Sequence, residues 1–211
     1  MTQMHFGLIA VTLIITLGMI TVATDEKHKA LVQGQKSDAF LTYENETANM
    51  KIQYPSSWFA ETKNVVWPNI LRIFPQEFMA ERYPPVSLEI GIFDKTTAAN
   101  PMVNTNLSGL AQDSLDIIEA RPDFRLINFT ENANLTLFNG TITVPAFEAY
   151  VYDFSRLLVD FQEMSLFIIL NDKYVVTFTY DAETESFDKY LPEVRKMIDS
   201  FQLLSGNNTV T

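Results

Sequence analysis

The sequence contains no cysteine, which excludes disulfides, zinc–thiolate sites and thiol nucleophiles together. Its two histidines, His5 and His28, both precede the stretch that carries strand and helix patterning. The folded part therefore has no imidazole for a serine–histidine triad or a histidine-rich metal site. Only seven glycines are present, and none falls in a Gly-x-Gly-x-x-Gly or Walker-type run, so the sequence offers no glycine-rich phosphate-cradling loop, which argues against nucleotide-dependent chemistry. Positive charge is also scarce: 15 Lys and Arg stand against 26 Asp and Glu, for a formal charge of −11. The bases are scattered singly apart from Arg195-Lys196, and such a surface repels nucleic acid.

Apolar and aromatic residues, in contrast, are plentiful. Hydrophobic residues make up 47%, including sixteen Phe and eight Tyr, enough for a sizeable core. The first strong feature is Phe6–Ala23, FGLIAVTLIITLGMITVA, eighteen residues without a charge. As a helix it would be about 27 Å long, sufficient to cross a hydrocarbon core. It reads either as an uncleaved membrane anchor or as a signal peptide cleaved after Thr21-Val22-Ala23. Both readings put the remainder outside the cytoplasm. Lys27, Lys29 and Lys36 pull the other way under the positive-inside rule.

The sequon Asn-x-Ser/Thr supports the outside location. It occurs at Asn45, Asn106, Asn128, Asn134, Asn139 and Asn207, whereas fourteen asparagines and about 15% Ser plus Thr would give roughly two by chance. The expectation is an N-glycosylated domain with its sequons in turns and on sheet edges. The competing reading is that Asn and Thr simply favour turns.

The chain divides into four segments: 1–24 as signal or anchor, 25–40 as a polar linker, 41–204 as one domain, and 205–211 as a polar tail. Within the domain, alternation dominates. FLTYENETANMKIQY predicts two strands joined by a turn, and VVWPNILRIF predicts two strand pieces or a bulge at Pro68. VSLEIGIF puts Val86, Leu88, Ile90 and Ile92 on one face. RLINFTENANLTLFNGTITV predicts short strands divided by Asn-rich turns, with Asn139-Gly140 the sharpest. AFEAYVYDF, FQEMSLFIIL and KYVVTFTY predict three successive antiparallel strands. Two helices interrupt them. NLSGLAQDSLDIIEAR aligns Leu107, Leu110, Ala111, Leu115 and Ile118, and ESFDKYLPEVRKMIDSF aligns Phe187, Leu191, Val194, Ile198 and Phe201, with Pro192 as a kink or first-turn residue. The fold class is α+β, an antiparallel sheet flanked by helices and preceded by one N-terminal hydrophobic helix.

Four stretches in this order, MKIQYPSSW, VSLEIGIFD, VPAFEAYVYDF and KYVVTFTYDAETESFDKYLPEVRKMIDSFQL, resemble the PsbP family, the extrinsic proteins of the photosystem II oxygen-evolving complex and their prokaryotic relatives. Tyr54, Pro55 and Trp58, then Pro145 and Ala146, then Ser200 and Phe201 carry the likeness, which extends over nearly all of 41–203. It implies a sheet of about six antiparallel strands between helices, an α/β/α sandwich on the non-cytoplasmic side of a membrane. Plant members help the manganese cluster retain calcium and chloride. The chain shows no Arg- and Ser-rich transit peptide and no histidine in the domain, so the plant role transfers poorly, whereas the N-terminal span and the sequons suit a bacterial or archaeal surface relative.

Carboxylates are the abundant reactive groups. Asp181, Glu183 and Glu185 stand two apart at a strand-to-helix junction, a candidate calcium or manganese site. The bland reading is that Asp181 or Thr184 caps the helix while the glutamates meet its positive end. Asp153, Asp160 and Glu163, with Arg156, flank a hairpin and read as a solvated tip or as a carboxylate pair for glycoside hydrolysis. Tyr150, Tyr152, Phe154, Tyr174, Phe178 and Tyr180 read as sheet packing, with a partner surface as the alternative. Trp58 reads as folded back over the edge of the core. The functional expectation is a non-enzymatic module attached to the membrane through residues 6–23 that binds a protein partner in a membrane complex or envelope. The alternatives are a calcium- or manganese-binding accessory protein and, third, a carboxylate-dependent hydrolase.

Overall fold

A computed structural model describes residues 39–63, 69–81, 84–95, 106–153, 160–170 and 173–204. The hydrophobic segment 6–23, Phe154, Arg156 and Asn207 lie outside the described residues. Among those described, no helix is long and apolar enough to cross a membrane.

The chain opens with an antiparallel hairpin of β1 (Phe40–Asn45) and β2 (Met50–Pro55). The tight turn between them needs a side-chain acceptor and a left-handed residue. Asn45 Oδ1 accepts from the Ala48 amide at 2.9 Å, and Asn49 adopts φ 55°. Met50 and Ile52 point into the core with Tyr54 half-buried. Pro55 then ends the ladder, and the chain crosses to a second sheet within two residues. The Ser56 amide donates to the Ala39 carbonyl, the Gln76 amide to the Ser57 carbonyl, and the Gln76 side chain to the Ser56 and Trp58 carbonyls. These bonds satisfy the crossover's backbone where no ladder can.

That second sheet has seven strands, all antiparallel, in the order β3-β4-β5-β9-β8-β7-β6. The strands are β3 (Trp58–Lys63), β4 (Asn69–Pro75), β5 (Val86–Asp94), β6 (Phe124–Leu137), β7 (Ile142–Asp153), β8 (Phe161–Leu170) and β9 (Tyr174–Glu183). Helix α1 (Leu107–Ala120) lies between β5 and β6 in the chain, and α2 (Thr184–Asp199) leads to the short β10 (Gln202–Leu203). β10 joins β2, making a small sheet β1-β2-β10.

Period-two alternation divides the large sheet into two faces. Leu88, Ile90, Leu166, Ile168, Phe178 and Tyr180 share one core with Phe187, Val194 and Ile198 of α2. The other face gives α1 a smaller core in which Ala111 and Leu115 meet Phe147 and Ala149. The result is the α+β sandwich anticipated from the sequence. Beyond the reach of α1, that second face carries the Arg72–Glu89 pair, 2.6 Å apart across β4 and β5, beside the Phe59–Phe74 ring pair.

Helix α2 is the element through which the parts meet. Trp58 is 2% exposed and packs edge-on against Tyr190, ring centroids 5.7 Å apart. Phe201 meets Phe178 edge-on at 5.2 Å. Pro192 sits inside the continuous helix and takes away the amide that would bond the Asp188 carbonyl. One residue earlier, the buried Tyr180 hydroxyl donates to the Phe187 carbonyl at 2.8 Å. At the C-terminus, Ser200 Oγ accepts from the Gln53 amide at 2.8 Å, and its hydroxyl lies 2.7 and 3.3 Å from the Met197 and Gln53 carbonyls. Asp199 accepts from the amides of Asn139 (2.8 Å, through its carbonyl) and Gly140 (3.0 Å, through Oδ1). The turn so held has positive φ at Phe138, Asn139 and Gly140.

Several sequence expectations need correction. WFAETK, for which the sequence suggested no strand, is β3. The region Arg125–Leu137 is not broken into short strands: β6 runs for 14 residues, with register shifts between Leu126 and Asn128 and between Thr130 and Ala133. Bulges absorb what the asparagines would otherwise break. Two sheets stand where one of about six strands was expected, because Pro55 forces the chain out of the first ladder. Neither Asp181 nor Thr184 caps α2. Glu183 occupies the N-cap position without a side-chain bond, and Thr184 donates from both amide and hydroxyl to the Asp160 carbonyl at 3.0 Å.

These contacts set three expected outcomes for stability. Trp58→Ala should cost about 3 kcal/mol or more in chemical denaturation, because it empties the space against Tyr190. Ser200→Ala should cost about 2 kcal/mol by leaving the Gln53 amide without its acceptor. Burial, helped by Tyr190, Asp188 and Asp181, raises the Tyr180 phenol well above its ordinary 10.0, and burial with the Glu148 bond raises Tyr150. A raised folded-state value means this contribution is complete below pH 10 and is lost as pH rises through the folded values. Tyr180→Phe should therefore flatten the alkaline fall of melting temperature while costing about 1–2 kcal/mol near neutrality.

Candidate binding cleft

Helix α1 begins where Asn106 Oδ1 accepts from the Gly109 amide at 2.8 Å, an N-cap of the usual chemistry. Leu110, Ala111 and Leu115 turn inward. Asp113, Asp116 and Glu119 are exposed, and the helix carries no base. Its two consecutive isoleucines cannot both face the sheet: Ile118 packs inward and Ile117 is 62% exposed. Arg121 closes the helix, its guanidinium stacked over the Phe124 ring at 3.5 Å and its Nη2 3.5 Å from Asp123.

Between this helix and strands β7 and β8 lies a cleft of about 170 Å³. Its walls are Ile117, Ile118, Phe124, Phe147 and Phe167, with Ser114, Arg121, Glu163 and Ser165 as polar groups. Ser165 donates its hydroxyl to Glu163 Oε1, so the carboxylate is held against the cleft floor. An apolar pocket with few polar groups is the usual form of a recognition site. Here one carboxylate lines it, and a guanidinium committed to Phe124 and Asp123 stands at its rim.

The other candidate residues are dispersed. Asp181 lies opposite Glu163 and Ser87 in the sheet, Glu183 ends β9 opposite Phe161, and Glu185 is exposed in the first turn of α2. Among the described residues, no three His, Cys, Asp or Glu gather closely enough to hold a metal ion, so this donor set does not fit one. Asp153, read as part of a solvated tip, is 6% exposed. Its register opposite Phe124 and Phe161 places it within the sheet. Asp160 contributes its carbonyl to the start of α2, and only Glu163 of this acidic set reaches the cleft. Of the aromatic set, Phe178 and Tyr180 are buried and Tyr150, Tyr152 and Tyr174 are half-buried, while Phe154 lies outside the described residues. Tyr150 forms a closed cluster with Glu148 and Arg195 against α2.

Of the resemblance residues, Trp58, Ala146, Ser200 and Phe201 are buried. Pro145 is exposed one residue beyond the first β7–β8 pair, Ala146–Ile168, where a missing amide costs that ladder no rung. Among the sequons, Asn106, Asn128, Asn134 and Asn139 are exposed, and Asn45 is half-buried with its Nδ2 donating to the Tyr43 hydroxyl at 3.0 Å. Sequence reasoning missed Ile117, Arg121, Phe124 and Ser165. The signal available was the Ile117-Ile118 pair on an otherwise acidic face.

No protein-family model matches the sequence, and no curated protein matches it. Solved structures do. The chain is similar to cyanobacterial PsbP (CyanoP) of Synechocystis, at 12% identity and a TM-score of 0.52, over 83% of this chain and 99% of that one. It is also similar to LpqN of Mycobacterium tuberculosis, involved in cell envelope biogenesis, at 10% identity and TM-score 0.48, over 79% and 86% of the two chains. The Ran-binding protein Mog1p of Saccharomyces cerevisiae matches at 10% identity and TM-score 0.41, over 80% and 97%. The first likeness, joined to the strand order and flanking helices described above, is one of architecture: the chain has the PsbP-like fold.

Proposed function

We propose that this protein is a non-enzymatic binding or assembly module, held on the extracytoplasmic side of a membrane through residues 6–23, that docks a protein partner over the α1 cleft. The observation that carries the docking site is Ile117, 62% exposed beside a cleft walled by Phe124, Phe147 and Phe167. An apolar anchor beside a receptive pocket, on a helix whose exposed side carries Asp113 and Asp116, is the anatomy of an interface hot spot with a charged rim. The acidic rim and the formal charge of −11 select a basic partner segment and steer its approach. The PsbP-like fold, the uncharged N-terminal run and the sequons support the extracytoplasmic placement. A calcium- or manganese-dependent role has less support, since Asp181, Glu183 and Glu185 are not gathered. A carboxylate-pair hydrolase also has less, since among the described residues Glu163 is the one carboxylate lining the cleft.

The test is co-purification from detergent-solubilised membranes with wild type and three variants. Ile117→Lys and Glu163→Gln should weaken retention of the same partner by about tenfold or more, whereas Ile127→Lys, on β6, should not. Retention should also fall between 0.1 M and 0.5 M salt, as the rim charges are screened. Equal retention by all four proteins would remove α1 from the interface.

A further inference from the structure

Strand β6 is the outer strand of the seven-stranded sheet, paired on one side to β7, and among the described residues no strand covers its other side. Its 14 residues give a free edge about 45 Å long, a template for unwanted pairing. The common guards are lysines, prolines and bulges. β6 contains no lysine or proline, and its guards are Arg125, Glu131 and two register shifts, while Ile127 and Phe129 are each 42% exposed. What the strand does carry is Asn128-Phe129-Thr130 and Asn134-Leu135-Thr136, followed by Asn139-Gly140-Thr141 in its turn.

The register decides where these asparagines stand. Asn128 lies opposite Tyr150, which packs edge-on against Phe187 of α2, so Asn128 belongs to the α2 face. Asn134 lies opposite Pro145, between positions paired to the buried Val144 and Ala146 of the α2 face, so it belongs to the α1 face. Both are exposed. Asn45 is the internal contrast. Its carboxamide is spent on the Ala48 amide and the Tyr43 hydroxyl, and that hydroxyl in turn meets Thr62 Oγ1 at 2.8 Å, tying β1 to β3.

We infer that Asn128 and Asn134 are N-glycosylated, one on each face of β6, and that the two glycans shield the free sheet edge, leaving the α1 cleft as the surface for protein contact. This rests on the extracytoplasmic placement proposed above. The co-reactant is a polyprenyl-phosphate-linked oligosaccharide. Asn Nδ2 loses a proton and forms a bond to the sugar's C1, while the C1–O bond to the lipid phosphate breaks and the phosphate departs with the lipid. An oligosaccharide at either position projects into solvent past the strand and bars a second strand from hydrogen-bonding distance.

The full-length protein, purified from its native membranes, is to be digested and mapped by electron-transfer mass spectrometry. Sugar masses are expected on the peptides containing Asn128 and Asn134 and none on Asn45. Sugar-free peptides at either β6 site, or modification of Asn45, would overturn the inference. A double variant, Thr130→Val with Thr136→Val, removes both sequons while keeping the asparagines and β-branched side chains. It should melt as the wild type does and self-associate at least fivefold more strongly by light scattering. A sugar-free but monodisperse variant overturns the shielding role. External protease on intact cells separates the two readings. A protected domain defeats the extracytoplasmic placement, whereas an accessible but sugar-free domain defeats the glycan inference alone.

Discussion

The bond pair between Ser200 and Gln53 closes this fold. Gln53 turns its amide and carbonyl away from β1 toward a side where β10 is only two residues long. A strand would normally satisfy both groups. Here a serine hydroxyl at the end of α2 stands in for the missing strand residue, accepting from the amide and meeting the carbonyl. Buried backbone groups left without partners are costly, so the small sheet depends on the helix ending at that point. The helix in turn depends on the large sheet, through Phe187, Val194 and Ile198 in the shared core.

That dependence explains why residues far apart in the sequence behave as one motif. Met50–Pro55, Trp58 and Ser200-Phe201 surround the same helix. The first pairs with β10 just past the helix end, the second packs on Tyr190, and the third joins that end to β2 and Phe178. Asp199 extends the arrangement to the β6–β7 turn. A carboxylate at a helix C-terminus faces the negative end of the dipole. Its place is understood from the Gly140 amide that it accepts, in a turn whose positive φ values leave amides pointing outward. The opposite face of the large sheet is the one that α1 covers. That is where the α1 cleft and its exposed isoleucine lie.

Much of this was legible from local pattern. Helix α1 was visible because Leu107, Leu110, Ala111, Leu115 and Ile118 recur at helical spacing, and β5 because Val86, Leu88 and Ile90 alternate. β3 was not, because WFAETK mixes a buried tryptophan with charges and comes after a turn signal that masked it. β6 was misread because asparagine weighs against strand, while its partner β7 and two bulges outweigh that local preference. Three acids at 181, 183 and 185 looked like a site because spacing along the chain mimics proximity. Among the described residues they belong to no group of three carboxylates that could hold a metal ion.

By itself the sequence determined that thiols and, past residue 28, imidazoles are missing, and it determined the two helices, most of the strands and the acidic net charge. These come from composition and from periods of two and 3.6 residues, which are properties of contiguous chain. Only the tertiary structure decided that the strands form two sheets, that Ser200 completes β2, and that Glu163 alone of its acidic group reaches a cleft with Ile117 at the rim. It also decided that Asn128 and Asn134 occupy opposite faces of β6, the outer strand among the described residues, while Asn45 is spent inside a turn. Those outcomes depend on register and on which strand lies beside which, and a change of one residue in register would send every side chain of a strand to the other face.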